Sequence, residues 1–330
     1  MHAGRRAFLA GAAGAWLAMS DRLRAQSAGA VRRIGYVSAF ARADIDIFVG
    51  LLRPELAKLG WTEGRDVLLD VRTAEGRNEQ LRSMAADVVA QRPDLILVQS
   101  APATRAAMEA TRTIPIVMIG VGNPPEYGLV ANLSKPGGNV TGSSYLAEES
   151  VLKTLELLRE ATPGVRSVAL FVNPSNNPAL PMAAKFRADA ATHGMRAQVL
   201  EVAAPADLER AFAAIRRENT GSIVVPPEPL LRSHRVPIAS FARTHRVPMA
   251  IVGSSLYLAP GCLMSYGPTT VQYAELTARY IDRILRGARP GDLSVEQPSR
   301  FELAIDLRTA DAIGLTVPAS LLQRADRVIR

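Results

Sequence analysis

Three groups of residues in this chain have the type and spacing to do chemistry at a binding surface. Ser100, Ala101 and Thr104 open a helix-forming run, with Pro102 in its first turn. Free N–H groups and the positive end of the helix dipole are expected there, an environment that suits a carboxylate. Gly120, Gly122 and Asn123 follow the apolar run Ile116–Ile119, where the backbone can approach a ligand closely. Ser38, Asn173 and Glu228 end other apolar runs. Glu228 is the one among them that can neutralise a positive group. None of these is a catalytic constellation. Small residues at such places also serve simply to close tight turns, and Ser, Thr and Asn are common capping residues in any such loop.

The elements that must position these residues alternate. Segment 94–123 reads as strand, helix, strand, and its two strands are continuous apolar runs of the kind buried on both faces of a parallel sheet. Before it, strands are expected over 32–38 and 66–72 and helices over 45–59 and 78–91. The helix over 45–59 carries an apolar stripe at Ile45, Phe48, Val49, Leu52, Leu56 and Leu59 and is stopped by Gly60. After a strand over 140–145 and a helix ending at Ala161, a second series begins. Its strands are expected over 167–172, 196–202, 222–225 and 248–252, and its helices over 178–193, 205–218 and 230–245. A short strand over 262–267, a long helix over 269–286, a strand over 300–305 and a helix over 318–328 complete the chain. Two like-wound α/β lobes follow from this doubling. Ligands of open α/β sheets bind outside the carboxyl ends of the strands, where Ser38, Ser100, Gly120 to Asn123, Asn173 and Glu228 all fall. A carboxylate held by Ser100, Ala101 and Thr104, with Glu228 opposite for any ammonium group, is the expected arrangement.

The excluded classes are informative. There is no glycine-rich dinucleotide or phosphate loop and no G-x-S-x-G elbow. The four histidines lack metal-ligand spacing, so neither metal nor cofactor is expected. The single cysteine, Cys262, forms no internal disulfide and reads as a small buried hydrophobe. The net charge of +8 owes much to residues 1–28, which hold Arg5, Arg6, Arg22 and Arg24 against Asp21. What remains is 35 of 39 basic and 30 of 31 acidic residues, scattered and not interleaved with aromatics, so nucleic acid is not an expected partner. Segment 1–28 reads as an export signal: an arginine pair followed by Phe8-Leu9, then an apolar run over 7–19, too short to span a bilayer. A mature start between Gln26 and Gly29 and a periplasmic location follow.

From Arg32 onward the chain resembles the ABC-transporter substrate-binding proteins of the tryptophan/tyrosine type. The resemblance is carried by IGYVS, LGWTEGRDVLLDVRTAEGR, IPIVMIGVGNPPEYGLVANLSKPGGNVTG, LMSYGP and VEQPSRFELAIDLRTADAIGLTVPASLLQRADRVI. It implies a type I periplasmic-binding-protein fold: two Rossmann-like three-layer lobes joined by three crossovers and closing by hinge motion. It implies a first lobe over 32–143 and 269–298, a second over 144–268 and 299–330, and no catalysis. It implies a monomer that captures a small solute and hands it to an ABC permease in the inner membrane. Carried over by position, it adds Ser143 and Tyr266 to the ligand-facing residues. Two positions depart from the family pattern. Asn123 stands where an acid is usual, and Glu228 where an aspartate is frequent; if the acid at 123 holds an ammonium group, its loss leaves either Glu228 to take that part or a ligand without an amine. Outside this family, the alternatives are an exported α/β enzyme with an unrecognised active site and the ligand-binding module of a sensor.

Overall fold

The computed structural model describes residues 31–175 and 179–330. The export-signal reading of 1–28 and the expected helix start at Pro178 lie outside the described residues.

The first sheet contains β1 (Arg32–Ser38), β2 (Val67–Thr73), β3 (Leu95–Gln99), β4 (Ile116–Gly122) and β5 (Val140–Tyr145), in the order β2-β1-β3-β4-β5, all parallel. Leu95 to Val98 and Ile116 to Ile119 are fully buried, as continuous apolar strands covered by helices must be. The helix α1 (Arg42–Lys58) lays Ile45, Phe48, Val49, Leu52 and Leu56 on one face of this sheet. The helices α2 (Leu81–Ala90) and α3 (Ala101–Ala110) cover the other.

The second sheet contains β6 (Ser167–Val172), β7 (Arg196–Glu201), β8 (Ile223–Val225), β9 (Met249–Val252), β10 (Met264–Pro268), β11 (Phe301–Asp306) and β12 (Arg327–Ile329). Its order is β12-β11-β10-β9-β8-β6-β7, and only β10 and β11 run antiparallel. The run β7-β6-β8-β9-β10 repeats the winding of the first sheet. Its helices are α4 (Ala147–Ala161), α5 (Ala179–Thr192), α6 (Asp207–Glu218), α7 (Pro229–Ser233) and α8 (Arg235–Thr244).

The long helix α9 (Thr270–Leu285) follows β10 but returns to the first sheet. Its Ala274, Leu276, Ala278, Tyr280, Ile281 and Ile284 share a core with β1 and α1. The Tyr280 hydroxyl donates to Ser294 O at 2.6 Å and accepts from Glu296 N at 3.0 Å, holding the segment that runs back beside β5. The chain thus passes between the sheets three times, near residues 146, 269 and 298.

Three elements differ from the expectation. The helix expected over 230–245 breaks at His234 into α7 and α8. Pro237 has no N–H, and its ring collides with the carbonyl four residues back, at Ser233. The helix expected over 318–328 is α11 (Ala319–Arg324) followed by β12. Asp326 donates its N–H to Leu303 O at 2.9 Å and accepts Leu303 N at 2.8 Å through its carboxylate, which turns the chain into the sheet. The helix α10 (Leu307–Ile313) was not foreseen. Asp306 caps it, accepting from Arg308 N at 3.0 Å, and Gly314 closes it in the left-handed region.

Candidate functional site

Both sheets are wound in the same order, so each has one point where successive connections leave in opposite directions. In the first sheet it lies between β1 and β3; in the second, between β6 and β8. A crevice opens at such a point. The loops at the two crevices face each other and enclose a cavity with two chambers.

The outer chamber is about 80 Å³. The first sheet contributes Ser100, Ala101, Gly120 and Gly122, and the second Asn173, Pro226, Pro227 and Glu228. The inner chamber is about 70 Å³ and is lined by Gln99, Arg232, Tyr257, Thr270 and Tyr273 among others. Phe40, Gly120, Tyr145 and Pro227 belong to both. A single water needs about 10–15 Å³, so each chamber has room for several solvent-sized groups. A wider groove of about 510 Å³ adjoins the outer chamber at Ala101. Its charged residues are solvated surface residues, with Arg82 paired to Glu109 at 3.0 Å, so it reads as an approach to the cavity.

Six of the expected residues therefore come together: Ser100, Ala101, Gly120, Gly122, Asn173 and Glu228. Five do not line the cavity. Ser38 is fully buried, and its Oγ accepts Phe40 N at 3.1 Å, so it acts by turning Phe40 inward. The Thr104 hydroxyl is fully buried and donates to Ser100 O at 2.8 Å. Ser143 Oγ accepts Gly120 N at 3.1 Å and donates to Met118 O at 3.4 Å, repairing the irregular pairing of β4 with β5. Asn123 turns outward toward Glu126, 3.4 Å away. Tyr266 stacks on Phe301, ring centroids 5.7 Å apart, against the core under α4 and α5.

The start of α3 carries less anion-binding capacity than its sequence suggests. Pro102 has no N–H. Ala103 N donates to Ser100 Oγ at 3.3 Å, and Thr104 N to Ser100 O at 3.1 Å. Only Ala101 N–H stays without a partner among the described residues, so the expected grip by Ser100, Ala101 and Thr104 together is not available. Ser100 itself sits at φ 102°, ψ 153°, a region almost confined to glycine and costing about 1–3 kcal/mol. Gly120, at φ 56°, lies under Tyr273; a Cβ there would stand 3.0 Å from the ring.

Across the cavity Glu228 caps α7. Its Oε2 accepts Leu231 N at 3.0 Å, and its Oε1 accepts Asn173 Nδ2 at 2.9 Å. Burial pushes its carboxyl above the usual range, although these hydrogen bonds favour the charged form.

The two sheets are also tied by charge. Asp44, in the first turn of α1 and 1% exposed, lies 3.0 Å from Arg232 Nε and 2.9 Å from Arg235 Nη2, both from the second sheet's helices. Arg232 is enclosed by two rings, its Cζ 4.8 Å from the Phe40 centroid and 3.1 Å from that of Tyr257. Sequence reasoning missed Asp44, Arg232, Phe40, Tyr145, Tyr257 and Tyr273. An aromatic directly after the first strand was a usable signal for Phe40. Asp44 in a first helical turn and Arg232 four residues after Glu228 read as ordinary helix electrostatics.

Among the described residues no group of His, Cys, Asp and Glu could hold a metal ion, and no helix is long and apolar enough to cross a membrane. The chain is 28% identical to a tyrosine-binding protein of Clostridioides difficile over 262 residues, 78% of this chain and 73% of that protein. A conserved domain protein of Vibrio cholerae has a similar structure: TM-score 0.84, 28% identity, covering 91% of this chain and all of that one. So does an ABC domain from Streptococcus pneumoniae in complex with L-Trp: TM-score 0.82, 24% identity, with the same coverage. These likenesses extend over both sheets and the three crossings, which together form the type I periplasmic-binding-protein fold. The family model described as ABC transporter substrate binding protein matches residues 43–329, so it takes in every residue of the cavity except Phe40, and this chain belongs to that family.

Proposed function

We propose that this chain is the exported solute-capturing component of an ABC importer, that it binds one small amino acid or carboxylate between its lobes, and that it performs no chemistry on it. The observation that carries this reading is the cavity itself. It is enclosed by the crevices of two like-wound sheets, and three chain crossings leave the lobes free to open and close as units. A tyrosine-binding relative and a similar domain holding L-Trp support an amino-acid ligand. The arginine pair and short apolar run at the N-terminus support export to the periplasm, with delivery to an inner-membrane permease. In this reading the chain works as a monomer. The lobes in this reading are 32–143 with 269–298 and 144–268 with 299–330, the first carried on to 145 by β5 (Val140–Tyr145).

The test is a thermal-shift and calorimetric panel of L-tyrosine, L-tryptophan and the other amino acids, each beside its deaminated acid and its decarboxylated amine. Ligand at 100 times its Kd should stabilise the protein by about 2.7 kcal/mol, with a stoichiometry of one. Recovery of the ligand unchanged after incubation is expected. Formation of a product would replace this reading with the enzyme reading.

A further inference from the structure

The two chambers differ in charge. Among the described residues, no arginine, lysine or histidine lines the outer one, which holds Glu228. No aspartate or glutamate among the described residues lines the inner one, which holds Arg232. The Arg232 guanidinium is only partly spent. Asp44 is shared with Arg235, which takes both carboxylate oxygens, Nη2 to Oδ1 at 2.9 Å and Nη1 to Oδ2 at 3.4 Å. Arg235 Nη1 also donates to Arg232 O at 2.9 Å. Arg232 meets Asp44 with Nε 3.0 Å from Oδ2, an ion-pair contact without hydrogen-bond geometry, and its two terminal nitrogens make no hydrogen bond with a described residue. Two guanidinium groups against one carboxylate leave the cluster with one positive charge. Two hydroxyls of the same chamber are also unspent. Tyr257 and Tyr273 line the inner chamber, and neither oxygen has a hydrogen-bond partner among the described residues or is sealed away from open space. Unpaired donors of this kind are costly unless something in the cavity accepts from them.

We infer that the inner chamber is the anion end of the solute site, with Arg232 and the hydroxyls of Tyr257 and Tyr273 receiving a carboxylate, and that the outer chamber receives the solute's donor group at Glu228 and Asn173. This rests on the reading of the chain as an amino-acid or carboxylate binder. It moves the anion away from the start of α3, where a single N–H is free. The Phe40 and Tyr257 rings, with centroids 4.8 and 3.1 Å from Arg232 Cζ, limit how the guanidinium can turn in the cavity.

The experiment titrates L-tyrosine, 3-(4-hydroxyphenyl)propionate and tyramine, and the corresponding tryptophan set, into the wild-type protein and into Tyr257→Phe, Tyr273→Phe, Glu228→Gln and Ser100→Ala. The phenylalanine variants keep the rings that pack the cavity and remove only the hydroxyls. Each should weaken the acid and the amino acid about 10-fold and leave the amine unchanged. Glu228→Gln should weaken the amine and spare the acid. The inference is overturned, and the binding function kept, if the phenylalanine variants hold the acid as wild type does while Ser100→Ala loses it. If no compound of the panel binds, the amino-acid or carboxylate reading falls as well. Adding Arg232→Lys to the acid titration checks geometry against charge: a loss of about 10-fold is expected despite the retained charge, and full retention would argue against a directed guanidinium.

Discussion

The starts of α3 and α7 face each other across the cavity and solve the same local problem in opposite ways. Each follows a buried strand. Each has a proline in the first turn and a side chain that caps the N–H three residues on, Ser100 to Ala103 and Glu228 to Leu231. Ser100 does this with a neutral hydroxyl on a strained backbone, φ 102°; Glu228 does it with a carboxylate on a relaxed one, φ −95°. The first lobe therefore gives the cavity shape, through Phe40, Gly120, Tyr145 and Tyr273, and the second gives it charge, through Glu228 and Arg232. Strain in one lobe and desolvated charge in the other are both costs that a closed, occupied cleft can offset.

Asp44 is the exception on the first lobe, and removing it should have the largest effect. Breaking a buried ion pair costs about 3–5 kcal/mol when the remaining charge stays buried. Here the lobes can part and let Arg232 and Arg235 reach water, so the loss should fall on the closed state. Asp44→Asn is expected to weaken solute binding by about 2–3 kcal/mol, roughly 30- to 150-fold, almost wholly through faster dissociation. The melting temperature of the free protein should move little. Stopped-flow dissociation and scattering with and without solute would check this, and an unchanged dissociation rate would mean that the pair is a passive contact.

The next effect sets the two caps against each other. Ser100→Gly removes a cap, at a cost of a few tenths of a kcal/mol, but relieves a backbone strain of about 1–3 kcal/mol. The variant should be more stable by about 1 kcal/mol. Glu228→Ala strands Leu231 N–H and Asn173 Nδ2 and should lose about 1–2 kcal/mol. Denaturant unfolding of both variants gives the comparison directly. If both destabilise alike, strain at Ser100 is not the difference between the lobes.

Much of this architecture was legible in the sequence because strands buried on both faces are apolar along their whole length. The strands 32–38, 140–145 and 167–172 stand in the structure at the bounds their residues suggest. Of the misread elements only β12 depends on a distant partner, Asp326 meeting Leu303, whereas the break at His234 and the short helix α10 have the local causes Pro237, Asp306 and Gly314. The site divides in the same way. Loops at strand ends could be placed from the strands, which brought Ser100, Gly120, Asn173 and Glu228 to the cavity. Which polar groups are spent locally could not be read. Thr104 looks free in sequence and is bound to Ser100 O. Asp44 and Arg235 are 191 residues apart and meet only when the lobes do.

The smallest effect is the one that reads the second lobe's charge most directly. Burial raises the Glu228 carboxyl above the value near 4.5 that it has when unfolded. Between those two values the native protein keeps a proton that the unfolded chain has released. The unfolded state then binds fewer protons, so stability falls as pH rises through this window and levels off above it. The contribution is fully present below about pH 4.5 and lost once the native carboxyl ionises. Unfolding measured across the window in wild type and in Glu228→Gln should differ by this slope, with the variant flat. A solute that places a positive group at Glu228 favours the ionised form, so binding within the window should release a proton. A solute that places only a carboxylate there should take one up. Calorimetry in buffers of different ionisation enthalpy separates the two. Proton uptake with an amino acid would reverse the assigned direction of the cleft, and no proton linkage at all would place Glu228 outside the contact.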